Sequence, residues 1–188
     1  MSDAAFVPPF TRPQLVLELP PDGLTVNVVA SVADCRALAD FMDLPSIDRL
    51  TAEYLVRSWG KSGLIVTGKV VADVIQTCVV SLEPVPEHIE EPVEVKFMLP
   101  ADLERYIRKQ EEAGEIDLDG EAVDQPDEFD GQSIDLGLLT MEFLALGLDP
   151  YPRKPGVVFD PEAFGVGPAP DEKVSPFAAL AKLKPADE

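Results

Sequence analysis

Apolar and polar side chains alternate most regularly between Gly63 and Pro100. Leu64, Val66, Val70, Val74, Cys78, Val80 and Leu82 take even positions, and Lys69, Asp73, Thr77 and Ser81 take odd ones. This is the period-two signature of a strand with one face in a core. After Glu83-Pro84-Val85-Pro86, Val93, Val95, Phe97 and Leu99 repeat the alternation against Glu94 and Lys96. Antiparallel pairing of the two runs is the economical arrangement. Extended chain from Leu64 to Leu82 would span about 60 Å at roughly 3.3 Å per residue, beyond a usual strand, so the run should bend or break, with Gly68 the natural place for a bulge.

Shorter patterns surround this hairpin. Leu15, Leu17 and Leu19, the turn Pro20-Pro21-Asp22-Gly23, and then Leu24, Val26, Val28 and Ala30 predict a second hairpin. Ser31 and Asp34 have the spacing of a capping box, and Leu38, Phe41 and Met42 form a helical stripe, so a short helix is expected over residues 33–44. A turn over 46–48 should lead into a strand from Leu50 to Trp59. Leu103 and Ile107 mark a helix over 102–114, with Asp102 and Glu104 in its first turn and Gly114 at its end. Ser133 reads as the cap of a helix running from Ile134 to about Leu148. That helix is apolar nearly all round and so is expected to be buried. Asp149-Pro150-Tyr151-Pro152 ends it.

The charge is unevenly distributed. The 188 residues carry a formal net charge of -20 and 19 prolines, with 46% apolar residues. Between Asp102 and Asp130 twelve acidic residues face only Arg105, Arg108 and Lys109. Residues 111–132 are therefore expected to be a solvated acidic loop, with disorder its natural state and a basic partner or Mg²⁺ as possible company. The chain divides into a loose arm over 1–13, a single domain over 14–159, and a Pro/Gly-rich tail over 160–188. Ser175 and Pro176 open a short terminal helix in the tail, over 176–184. The fold expected is α+β: a bent, mostly antiparallel sheet packed by one buried helix and one or two shorter ones.

Candidate chemistry is sparse. With two cysteines, no apolar run long enough to span a membrane and no leader pattern, the chain reads as cytoplasmic with both thiols free. Its acidity repels phosphate backbones, so RNA contact needs a local basic surface. The candidates are Arg57, Trp59 and Lys61, with Lys69, Arg153 and Lys154. Trp59 has packing as its bland role and base stacking as its sharper one. Phe177, Leu180 and Leu183 would form the apolar side of a docking helix, either on the chain's own domain or on a partner. Glu142, within the apolar helix, requires a hydrogen bond, an ion pair such as one to Arg153, or a proton. No nucleophile triad, phosphate-cradling loop or dinucleotide fingerprint is present, and the only histidine, His88, falls in a proline-flanked turn. No cofactor and no small-molecule substrate are indicated. A metal-assisted nuclease or hydrolase built on carboxylates is the enzymatic alternative, and it needs those carboxylates fixed within a few ångströms.

The order of several segments resembles the YceD family of bacterial and plastid proteins. These are Thr77-Cys78-Val79-Val80-Ser81-Leu82-Glu83-Pro84, an acidic gap, Ile134-Asp135-Leu136 leading to Glu142, Leu144, Leu146 and Asp149-Pro150-Tyr151-Pro152, and the closing Pro176-Phe177-Ala178-Ala179-Leu180-Ala181-Lys182-Leu183-Lys184. The resemblance spans roughly 50–184. It implies a non-enzymatic role supporting accumulation of large-subunit ribosomal RNA or ribosome assembly, with a large-subunit ribosomal protein or pre-rRNA as partner. A general interaction module unrelated to ribosomes is the competing reading. Many members carry Cys-x-x-Cys where this chain has Cys78-Val79-Val80-Ser81. Zinc needs about four soft or imidazole ligands, so no zinc site is expected at this corner, and Cys78 reads as a small inward-facing hydrophobe.

Overall fold

The computed structural model describes residues 7–113 and 125–158. The chain divides into two units, 1–154 and 155–188. Of the second only residues 155–158 are described, a turn with Gly156 at φ +82°. In the first unit the elements run β1 (Pro13–Leu15), β2 (Leu24–Val29), α1 (Val32–Phe41), β3 (Ser46–Trp59), β4 (Gly63–Thr77), β5 (Pro84–Met98), α2 (Pro100–Ala113), β6 (Asp127–Glu128), β7 (Ser133–Asp135) and α3 (Leu136–Gly147). Strands β2-β3-β4-β5-β6 form a five-stranded sheet, antiparallel except for the short β5–β6 pairing, and β1 and β7 form a two-stranded one. The architecture is α+β, as the alternation predicts.

The even positions of β4 supply the core, with Val66, Val70, Ala72 and Val74 at 1% exposure or less. They meet Leu50, Ala52, Tyr54 and Val56 of β3, together with Leu136, Leu139 and Leu144 of α3. A register shift between Ile47 and Arg49 lets both the odd Ile47 and the even Leu50 point inward. Irregularity therefore falls there and not at Gly68. Gly68 pairs in unbroken register with Tyr54 on one side and Val93 on the other. A Cβ on Gly68 would lie 2.0 Å from the Glu53 carbonyl oxygen and 3.0 Å from the Tyr54 ring. The glycine is there for close approach, and bulge formation is not its role. The run breaks, as its length requires: β4 ends at Thr77, and Cys78–Leu82 fold into a turn.

Five further expectations are corrected. The first hairpin does not form, because β1 pairs with β7 and β2 pairs with β3. In the segment after β1 it is Val16 that is buried, while Leu15 and Leu17 face solvent, the reverse of the leucine alternation. Residues 46–48 begin β3 and form no turn. Ser133 lies in β7, and the cap of α3 is Asp135, whose Oδ1 accepts from the amides of Gly137 at 2.9 Å and Leu138 at 3.1 Å. The acidic region is partly built into the domain: residues 111–113 continue α2, and β6 lies beside the end of β5. Phe129 there is buried edge-on to Phe97, with ring centroids 6.5 Å apart. The rest of the expected loop, 114–124, lies outside the described residues. The capping box of Ser31 and Asp34 on α1 is present as predicted.

Candidate partner-binding site

Side chains on the open face of the sheet come from the odd positions of β4 and the even positions of β5. Direct pairing of Asp73 with His88 and of Arg49 with Asp73 brings charges of alternating sign into one row across three strands. Arg49 Nε donates to Asp73 Oδ2 at 2.8 Å, and His88 Nδ1–H donates to Asp73 Oδ1 at 2.6 Å. Glu90 follows, 3.6 Å from His88 Nε2 and accepting from Lys69 Nζ at 3.2 Å. His88 thus belongs to a strand and not to a turn. Its pKa is raised, chiefly by the hydrogen bond to Asp73, and that of Asp73 is lowered by the same bond and by Arg49. Exposed pairs of this kind are screened by solvent and contribute little, so the row organises the surface more than it stabilises it.

The basic candidates do not converge. Arg57, Trp59 and Lys61 sit at the β3–β4 turn, and Trp59 is half-buried with Lys96 Nζ 5.6 Å over its ring. Lys69 is committed to Glu90. Arg153 and Lys154 lie near the opposite end of β4, with Lys154 Nζ on Glu83 at 2.9 Å. The length of β4, about 45 Å at roughly 3.3 Å per residue, separates the two ends. Phe177, Leu180 and Leu183 lie outside the described residues.

Cys78 sits at the turn after β4, fully buried, and does more than fill space. The amides of Ser81 and Lys154 both donate to its Sγ at 3.4 Å. These donors, with the Ser81 hydroxyl, bring the thiol down to about 6, the Lys154 amide contributing most. The corner is closed further by Val79 N–H donating to the Pro152 carbonyl at 2.9 Å and Cys78 N–H donating to the Glu83 carbonyl at 2.9 Å. One thiol flanked by amides does not make the donor set of a tetrahedral zinc site. Among the described residues, no three His, Cys, Asp or Glu side chains are grouped to hold a metal ion.

Acidic groups do converge, between β6 and α3. A groove of about 530 Å³ is lined by Asp127, Glu128, Asp130, Asp135 and Glu142, over a floor that includes Phe97, Leu138 and Leu139. Two of these carboxylates have structural duties: Asp130 Oδ1 accepts from the amides of Gln132 and Ser133, and Asp135 caps α3. Glu142 is exposed on the outer side of α3 and has no contact with Arg153, which corrects the expectation of a buried carboxylate. Only one side of α3 is buried. Leu146 stands 73% exposed, so the helix presents apolar residues to solvent as well as to the core. The Glu142 pKa is raised, by loss of hydration first and then by the charge of Asp127. A carboxyl held up by a neighbouring negative charge is relieved by an arriving cation. Sequence reasoning missed this groove because it placed Glu142 inside and 127–130 in a loop. The buried Phe129 between acidic neighbours was the signal available.

Residues 66–184 match the model of one protein family, described as Large ribosomal RNA subunit accumulation protein YceD. No curated protein and no solved structure matches the chain.

Proposed function

The chain belongs to the YceD family of large ribosomal RNA subunit accumulation proteins, and we propose that it supports that accumulation without catalysis, by holding a basic protein of the large subunit. The observation that carries this reading is the contrast between scattered cations and gathered carboxylates. Lys69, Lys154, Arg49 and Arg12 are each paired with a carboxylate at separate places, and Glu128 and Glu142 line one groove together with Asp127, Asp130 and Asp135. With a net charge of -20, the field favours a cationic protein over a phosphate backbone. The family's connection with ribosomal RNA then comes through a protein that itself binds RNA. No helix among the described residues is long and apolar enough to cross a membrane, and a cytoplasmic place of action fits the ribosomal role. The tail residues Phe177, Leu180 and Leu183 provide a second, apolar contact in this reading.

The test is affinity capture from a lysate at low and at moderate salt. Three baits are compared: the full chain, a Glu128→Gln, Glu142→Gln variant, and a Phe177→Ala, Leu180→Ala variant. Large-subunit proteins are expected on the full chain, reduced by added salt and by the first variant. Direct retention of pre-rRNA on nuclease-resistant contacts, unaffected by the carboxylate changes, would reject a protein-mediated role. A catch without ribosomal components would leave a general interaction module as the better description.

A further inference from the structure

The five-stranded sheet is finished differently on its two sides. Ala30 N–H donates to the Leu50 carbonyl at 3.0 Å, so even-numbered residues at this end turn their backbone groups toward β3. In an antiparallel ladder the alternation then directs the N–H and C=O groups of Thr25, Asn27 and Val29 away from the sheet. Carried through β3 and β4, the same alternation puts the even-numbered residues of β5 on its outer edge. Phe129 N–H donating to the Met98 carbonyl at 3.1 Å agrees with this. Pro84, Pro86 and Pro92 all fall on those even positions. They have no N–H to offer, so the β5 edge is blocked to further strands.

The β2 edge has no such protection. Its sequence Leu-Thr-Val-Asn-Val-Val contains neither proline nor charge and is largely β-branched, and among the described residues no strand pairs with its outer side. Beyond its C-terminal end, β3 continues from Thr51 back to Ser46. There a groove of about 610 Å³ opens between α1 and β3, with Val29, Val32, Ala39 and Ile47 as apolar lining and Asp40, Asp48, Arg36 and Arg49 as charged lining. Val29 and Val32 are 64% and 72% exposed. Arg49 is already bound to Asp73, which leaves Asp40 and Asp48 against Arg36.

We propose that the outer edge of β2 receives an extended, basic peptide segment of a partner protein as an added strand. The segment bonds to the backbone of Thr25, Asn27 and Val29, lays aliphatic side chains on Val29 and Val32, and turns Lys or Arg toward Asp40 and Asp48. A second copy of this chain would bring -20 against -20, whereas a cationic segment is drawn in by the same field. The basic character of the occupant rests on the function proposed above; the open edge does not.

The experiment uses the full chain and a short, end-capped synthetic peptide alternating lysine and valine, with its glutamate–valine counterpart as control. Binding is titrated calorimetrically, and amide hydrogen exchange is read at Thr25, Asn27 and Val29. The lysine–valine peptide is expected to bind, to slow exchange at these three amides, and to lose about tenfold in affinity in Asn27→Pro. That substitution removes an outward N–H while leaving the ladder to β3 intact. An Asp40→Asn, Asp48→Asn variant, which leaves the backbone untouched, should weaken binding as well and decides the matter if Asn27→Pro does not fold. Equal binding of both peptides, binding without slowed exchange, or indifference to the variants overturns the proposal. A dimer of the full chain that is lost in Asn27→Pro overturns it too, by giving the edge to a second copy. Capture of ribosomal components that survives Asn27→Pro removes the edge from the mechanism but leaves the proposed function standing.

Discussion

Two side chains, Cys78 in the turn after β4 and His88 on β5, give the protein opposite responses to pH. Cys78 has a folded-state pKa of about 6 against an ordinary 9.0, because amide donors favour its thiolate. A lowered value means stability that is fully present above the unfolded pKa and is lost as pH falls through the folded one. His88 is raised above 6.5 by Asp73 and Glu90. Its contribution is fully present below the unfolded value and is lost as pH rises through the folded one. Cys78 therefore adds stability between about pH 6 and 9, while His88 gives its own up from 6.5 upward, as pH passes through its raised folded-state value. Urea unfolding across that window should show Cys78→Ala losing the rise and His88→Gln losing the fall, each relative to the parent. Identical pH slopes in the parent and Cys78→Ala would mean that the thiol stays protonated and only fills its pocket. Gly68 shows a different dependence on place. Its value lies in what its absent Cβ leaves open to Glu53 and Tyr54, and a sequence shows the glycine but not the neighbour.

At the scale of elements, legibility followed the range of the interactions. The long β4–β5 hairpin, the short α1 with its capping box and the helix after Pro100 were readable, because alternation, caps and turn residues act within a few positions. Pairings between distant segments were not. Pro13–Leu15 joins Ser133–Asp135 across more than half the chain, and nothing local in Leu15, Leu17 and Leu19 announces it. The same long-range pairing moved the start of α3: once Ser133 is held as a strand residue, the next side chain able to cap is Asp135. Asp135 is also the acceptor for Arg12 N–H at 2.7 Å, so the cap ties α3 to the β1 end. The site was less legible than the fold, since the gathering of Asp127, Glu128 and Glu142 needs β6 to lie against β5. Asp135→Ala should cost about 1–2 kcal/mol, the upper part of the range for lost N-caps, and Ser133→Ala well under half of that. Denaturant midpoints of the two variants check the order. A larger loss for Ser133→Ala would return the cap to the serine.

For the whole molecule the question is which of two electrostatic effects dominates. Ion pairs such as Arg49–Asp73, Lys69–Glu90 and Lys154–Glu83 weaken with salt, but each is exposed enough for solvent to screen it and contributes little. Against them stand 35 acidic and 15 basic residues, whose mutual repulsion opposes the compact state and is screened once the Debye length falls to about 10 Å near 0.1 M. The excess of like charge outweighs a few surface pairs, so the melting temperature at neutral pH should rise as salt is increased from near zero to physiological strength. Thermal melts in a non-binding salt measure this, and a falling melting temperature would mean that the charged row on the open sheet face contributes more than its exposure allows. The sign also matters for function. Attraction between the acidic groove and a cationic partner weakens under the same screening that firms the fold. A complex lost at moderate salt while the melting temperature climbs is therefore lost through the contact itself and not through unfolding, which separates partner binding from stability with one variable.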